Sequence, residues 1–186
     1  VALGDLDGDG DLDAWVANIN SQANRVWINQ GGDQGGTPGT YADSGQALRN
    51  SSSTGVALGD LDGDGDLDAW VANYSDSNGF GQANRVWINQ GGDQGGTPGT
   101  YADSNQDLGN SDSIGVALGD LDGDGDLDAW VANIFGQANR VWINQGGDQG
   151  GTPGTYVDSG QALGNSEATD VALGDLDGDG DLDAWV

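Results

Sequence analysis

The chain has 186 residues, enough for one domain with a sizeable core, and it carries 31 Asp and Glu against four Arg and no Lys, a net charge of -27. So few cations exclude a phosphate-contacting nucleic-acid interface and disfavour anionic membranes, and no apolar run is long enough for a membrane-spanning helix. Without His, Cys or Lys, there can be no Ser–His or Cys–His pair, no lysine base and no disulfide.

The chain opens on Val1–Val16, VALGDLDGDGDLDAWV, and this stretch recurs letter for letter at Val56–Val71, Val116–Val131 and Val171–Val186. The copies start 55, 60 and 55 residues apart. They divide the chain into repeats 1–55, 56–115 and 116–170 and the first hairpin of a fourth, 171–186, all one repeat array. Within a copy, Val1–Gly4 is a short apolar run and predicts a strand. Asp5–Asp13 is a loop. Leu12–Asn18 alternates, with Leu12, Ala14 and Val16 on one face and Asp13, Trp15 and Ala17 on the other, and predicts a second strand.

A variable turn follows at Ile19–Ser21. The five extra residues of the second repeat fall in its counterpart, Tyr74–Gly81, which marks a surface loop. Asn24–Asn29 (NRVWIN) predicts a third strand. Gly31–Gly39 is a loop, with no Lys and no following helix to make it a phosphate loop. Thr40–Asp43 starts a fourth strand that extends towards Leu48, and Asn50–Gly55 predicts the turn into the next copy. No segment has a helical period. Four short strands per repeat predict an all-β fold of four-stranded antiparallel β-propeller-type blades, about three and a half in this chain.

Aromatic residues recur in register: Trp15, Trp70, Trp130 and Trp185, then Trp27, Trp87 and Trp142, then Tyr41, Tyr101 and Tyr156. They either pack between blades or present rings to sugars. Arg25, Arg85 and Arg140 also recur and are expected to pair with a nearby Asp or carbonyl. Asn50-Ser51-Ser52 and Asn73-Tyr74-Ser75 match the glycosylation sequon, a pattern that chance produces readily in so Ser- and Asn-rich a chain.

The loops hold 20 of the 31 acids, five Asp in each copy. In the first, Asp5, Asp7 and Asp9 offer side-chain oxygens at alternate positions, and Gly10 allows the sharp turn. Asp11 would offer its backbone carbonyl and Asp13 its carboxylate. Leu6 and Leu12 are expected to pack beneath the loop. The pattern suits a hard divalent cation, without which neighbouring carboxylates repel and should open the loop. An EF-hand would need Glu where Val16 stands and helices where strands are predicted.

DLDGDGDLD between strands, in repeats of this length, resembles the FG-GAP/VCBS repeat family, to which the calcium-binding blades of integrin α propellers belong. The resemblance covers the whole chain. The Phe-Gly and Gly-Ala-Pro signatures of the integrin type are largely missing; Phe80-Gly81 and Phe135-Gly136 lie in the variable turn instead. The style is therefore the bacterial VCBS one. The resemblance implies a β-propeller and one Ca²⁺ per loop, four in all. The ligands it implies are Asp5, Asp7, Asp9, Asp11 and Asp13 in the first loop and Asp60, Asp62, Asp64, Asp66 and Asp68 in the second. In the third they are Asp120, Asp122, Asp124, Asp126 and Asp128, and in the fourth Asp175, Asp177, Asp179, Asp181 and Asp183.

A closed propeller has at least about four blades. This sequence is therefore expected to be a window on a longer array, a subunit of a ring or filament, or an open unit. The leading expectation is a non-catalytic, calcium-stabilised extracellular or cell-surface scaffold, acting in adhesion, in a surface layer or as a filament subunit. Its partners would be further copies or further repeats. The alternatives are a carbohydrate-binding propeller module that uses the repeated Trp and Tyr, and accessory blades of a longer extracellular enzyme.

Overall fold

The computed structural model of the chain describes residues 1–165 and 167–186. It is all-β, with 15 strands and three short 3-10 turns. The first sheet runs β1 (Ala2–Gly4), β2 (Asp13–Val16), β3 (Gln22–Asn29), β4 (Tyr41–Asp43), with β5 (Leu48–Ser51) also paired to β3. The second runs β6 (Ser53–Gly59), β7 (Asp68–Asn73), β8 (Arg85–Asn89), β9 (Tyr101–Asp103). The third runs β10 (Ser113–Gly119), β11 (Asp128–Asn133), β12 (Arg140–Asn144), β13 (Tyr156–Asp158). A last hairpin joins β14 (Ala172–Gly174) to β15 (Asp183–Trp185). Among the described residues every strand pairing is antiparallel, as in propeller blades, and no sheet closes on itself.

The first strands of successive blades lie against one another. The Thr54 hydroxyl donates to the Ser113 carbonyl at 2.7 Å. A Cβ on Gly55 would stand 2.8 Å from the Ile114 carbonyl oxygen, so only glycine permits this approach.

Both faces of β7 are buried, because the second blade has a neighbour on either side. Leu6, Trp15, Val26 and Leu48 of the first blade form one core with Ala69, Val71, Trp87 and Tyr101 of the second. The next interface repeats it: Leu61, Trp70, Val86 and Leu108 meet Ala129, Val131, Trp142 and Tyr156. The repeated Trp and Tyr are thus interblade packing residues wherever both blades are present. Trp27 and Trp185, on the outer faces, are 36% and 75% exposed.

Leu6 and Leu12 differ from the expectation of a shared place beneath the loop. Leu6 packs towards the following blade, whereas Leu67, the counterpart of Leu12, packs towards the preceding one, near Gly4. Leu12, in the first blade described, is exposed.

Asn50–Gly55 is not a turn. β5 ends at Ser51 and β6 begins at Ser53, so the chain passes from blade to blade in extended form. The reason is a buried polar ladder. Asn24 donates to the Ser53 hydroxyl at 2.9 Å, which donates to Asn73 Oδ1 at 2.6 Å. Asn84, Ser113 and Asn133 repeat this at the next junction. Asn73, of the second sequon, is buried there with its carboxamide on the Ala83 carbonyl, closed to modification in the folded chain.

The fourth strand stops at Asp43 and resumes at Leu48. The break frees Gln46 to clamp the next blade: its carboxamide donates to the Gly99 carbonyl at 2.7 Å and accepts the Tyr101 amide at 2.8 Å. Gln106 does the same to Gly154 and Tyr156. The arginines close this bend from below. Arg25, Arg85 and Arg140 donate to the carbonyls of Gln46, Gln106 and Gln161, beside Asp43, Asp103 and Asp158.

Candidate metal centre

Each loop joins the first strand of a blade to its second. Gly10 sits at φ 93°, with Gly65, Gly125 and Gly180 between 95° and 100°, a conformation that would strain any residue with a Cβ. The reversal folds the loop over its first aspartate. Asp5 accepts the amides of Gly8 at 2.9 Å and Gly10 at 3.0 Å. Asp13 closes the loop from the strand: its oxygens accept the Leu6 amide at 2.9 Å and the Asn29 amide at 2.8 Å. Asp68 and Asp128 repeat this on Leu61 and Asn89, and on Leu121 and Asn144.

These contacts bring three carboxylates together in each copy. Oxygens of Asp5, Asp7 and Asp13 lie within 4.8 Å of one another, as do those of Asp60, Asp62 and Asp68, of Asp120, Asp122 and Asp128, and of Asp175, Asp177 and Asp183. Asp9 is turned elsewhere, accepting the amides of Asp11 at 3.0 Å and Asp33 at 3.2 Å. Asp64 and Asp124 do likewise. Both carboxylate oxygens of Asp11 are buried without a hydrogen-bond partner among the described residues.

The electrostatics are those of negative charge packed without a counter-charge. Asp7 is pushed up to about 6 by burial, then by repulsion from Asp13 and Asp9. Asp62 is pushed up to about 6 by burial and then by Asp64 and Asp60. Burial takes Asp68 to about 7 and Asp128 to about 6, against the backbone hydrogen bonds that favour their charged forms. A cation among these oxygens would reverse both effects. Asp62 Oδ1, a trio member, is buried with no hydrogen-bond partner among the described residues, which fits an oxygen awaiting a metal. An all-carboxylate set on a flexible loop suits Ca²⁺ better than thiophilic or imidazole-seeking metals.

Two groups of residues at the site escape a reading of the loop motif alone. The segment after the third strand is a cover. Gly32–Gln34, Gly92–Gln94 and Gly147–Gln149 form 3-10 turns across the loops. Gln34 donates to Asp7 at 2.5 Å, Gln94 to Asp62 at 2.5 Å and Gln149 to Asp122 at 2.5 Å. Asn29, Asn89 and Asn144 hold the cover in place. Asn89 Oδ1 accepts the amides of Gly91 and Gly99, and its Nδ2 donates to the Leu67 carbonyl. The signal was in the sequence, as an Asn and a Gln repeated five residues apart after every third strand.

Residues 5–71 match the model of the FG-GAP-like repeat. That span covers the first loop, β2 to β6, and the second loop with the first part of β7. No curated protein matches the chain.

Proposed function

We propose that this chain, whose residues 5–71 match the FG-GAP-like repeat, is a non-catalytic, calcium-stabilised scaffold that works outside the cell. The observation that carries the reading is the carboxylate trio repeated in every loop. In this reading the carboxylates of the four trios hold the ions, and Asp9, Asp64 and Asp124 tie their loops to the cover turns. Weak, multi-site calcium loops suit the millimolar calcium of extracellular space. No helix among the described residues is long and apolar enough to cross a membrane. The array associates with further copies of itself or with further repeats, in adhesion, a surface layer or a filament.

The test is thermal unfolding and particle mass by light scattering, each in calcium and in excess chelator. A large rise in melting temperature with calcium, together with an assembly that chelator dissolves, is the expected result. A melting temperature that ignores calcium would overturn the metal reading, and a calcium-stable monomer would overturn the assembly.

A second reading, glycan binding, draws support from one place. A groove of about 540 Å³ is lined by Tyr74, Asn20, Ser52, Thr54, Asp76 and Ser77, hydroxyls and amides beside an aromatic ring. The repeated Trp15 and Trp70 do not serve it, being fully buried between blades. Quenching of tyrosine rather than tryptophan emission on glycan titration would favour this reading.

A further inference from the structure

The four loops have one sequence and four different surroundings. The first is capped by the second blade: Asn89 Nδ2 donates to the Leu6 carbonyl at 2.9 Å, and a Cβ on Gly99 would stand 3.2 Å from Asp7 Cβ. The second is capped in the same way by the third blade. Asn144 Nδ2 donates to the Leu61 carbonyl at 2.9 Å, and a Cβ on Gly154 would stand 3.2 Å from Asp62 Cβ. Leu6 and Leu61 are each 1% exposed, and Asp7 and Asp62 are half-buried.

Among the described residues of 1–186, the third and fourth loops have no such cap. Residues 171–186 contain no counterpart of Asn89 or Gly99. Asp122 is accordingly exposed, and Leu121 is only half-buried. In the fourth loop Leu176 is 61% exposed, and among its carboxylates only Asp183 retains any burial.

We infer that each metal loop is completed by the blade that follows it, so that identical loops bind their cation tightly where the Asn and Gly of that blade are in place and weakly where they are not. This rests on the calcium reading above and adds to it which sites fill first. The physical grounds are two. Opposite charges attract about four times more strongly at the dielectric of a protein surface than in bulk water, so a capped trio gains more from its ion. The asparagine and the glycine turn also hold the loop in its ligating shape before the ion arrives, and losing such outer contacts typically lowers metal affinity about 10- to 100-fold.

The test is calcium titration of the 186-residue chain by calorimetry, with terbium luminescence as a second readout. The expected isotherm has two steps, two sites filling at least about tenfold below the other two. Asp62→Asn should remove a tight site and Asp122→Asn a weak one. Asn144→Ala should leave one tight site, with far-ultraviolet circular dichroism checking that the variant folds. Four equivalent sites, or Asp62→Asn and Asp122→Asn deleting sites of equal affinity, would overturn the inference and leave the calcium reading standing. No binding at all would overturn the calcium reading itself.

Discussion

The indole of Trp15 meets the ring of Tyr101 edge-on, at 90° and 6.4 Å between centroids, across the boundary between two blades. Trp70 meets Tyr156 in the same way at 6.3 Å. The Tyr101 hydroxyl goes on to donate to the Leu67 carbonyl at 2.7 Å, in the second metal loop. The ring that packs one interface thus also steadies the loop of its own blade.

This pair should be energetically coupled. Trp15→Ala is expected to cost about 3–5 kcal/mol, as large aromatic deletions from cores do. A double-mutant cycle with Tyr101→Ala should return about 0.5–1.5 kcal/mol of interaction. Urea unfolding in saturating calcium measures both, and additive effects would deny the contact any weight.

The buried Ser–Asn ladder should matter more than its polarity suggests. Ser113 accepts from Asn84 and donates to Asn133, all three buried. Ser113→Ala takes the Ser113 hydroxyl from Asn84 Nδ2 and Asn133 Oδ1 and should destabilise by about 2–4 kcal/mol. Exposed Ser77→Ala is the control and should change stability by less than about 0.5 kcal/mol. Equal effects from the two would mean that water reaches the ladder.

Asp68 and Asp62 should separate folding from metal binding. Asp68 holds two backbone amides, so Asp68→Ala should cost at least about 2 kcal/mol even in chelator. Asp62 accepts chiefly from the exposed Gln94 side chain. Asp62→Asn should therefore spare the chelated protein and reduce only the stabilisation that calcium adds. Melting curves of both variants with and without calcium decide this.

Acid should stabilise the calcium-free chain. Asp68 titrates at about 7 and Asp7, Asp62 and Asp128 at about 6 in the folded chain, against about 3.9 when unfolded. Between about pH 4 and 7 the folded state therefore holds more protons than the unfolded, and stability falls as pH rises through that window. Calcium should flatten the fall by taking the place of the protons. Melting temperatures in chelator that climb from pH 4.5 to 7.5 would contradict the assignment.

Much of this was legible in the sequence because repetition removes ambiguity. The loops, the first three strands of each blade and the arginine partners follow from fixed spacings and simple alternation. The interblade roles of Trp15 and Tyr101 could be read only as one of two options, since a ring that stacks on its neighbour and one that stacks on a sugar look alike in a sequence. Asn50–Gly55 misled because serine and glycine favour turns, yet Ser53 is held extended by partners 20 and 29 residues away. Gln34 and Asn89 were hidden for a related reason. Their chemistry lies in contacts across a blade or between blades, which local pattern does not encode.

The forward and rear surfaces of a blade are both written in one repeat, and the extended passage at Ser51–Ser53 adds no linker between repeats. Any copy can therefore succeed any other, and duplication or loss of a unit of 55 or 60 residues in the gene changes the length of the object without creating a misfit. The variable turn after the second strand is where individual blades already diverge, since the second repeat carries five extra residues there. A lineage of such chains would be expected to explore reach by counting units, and recognition by rewriting those turns.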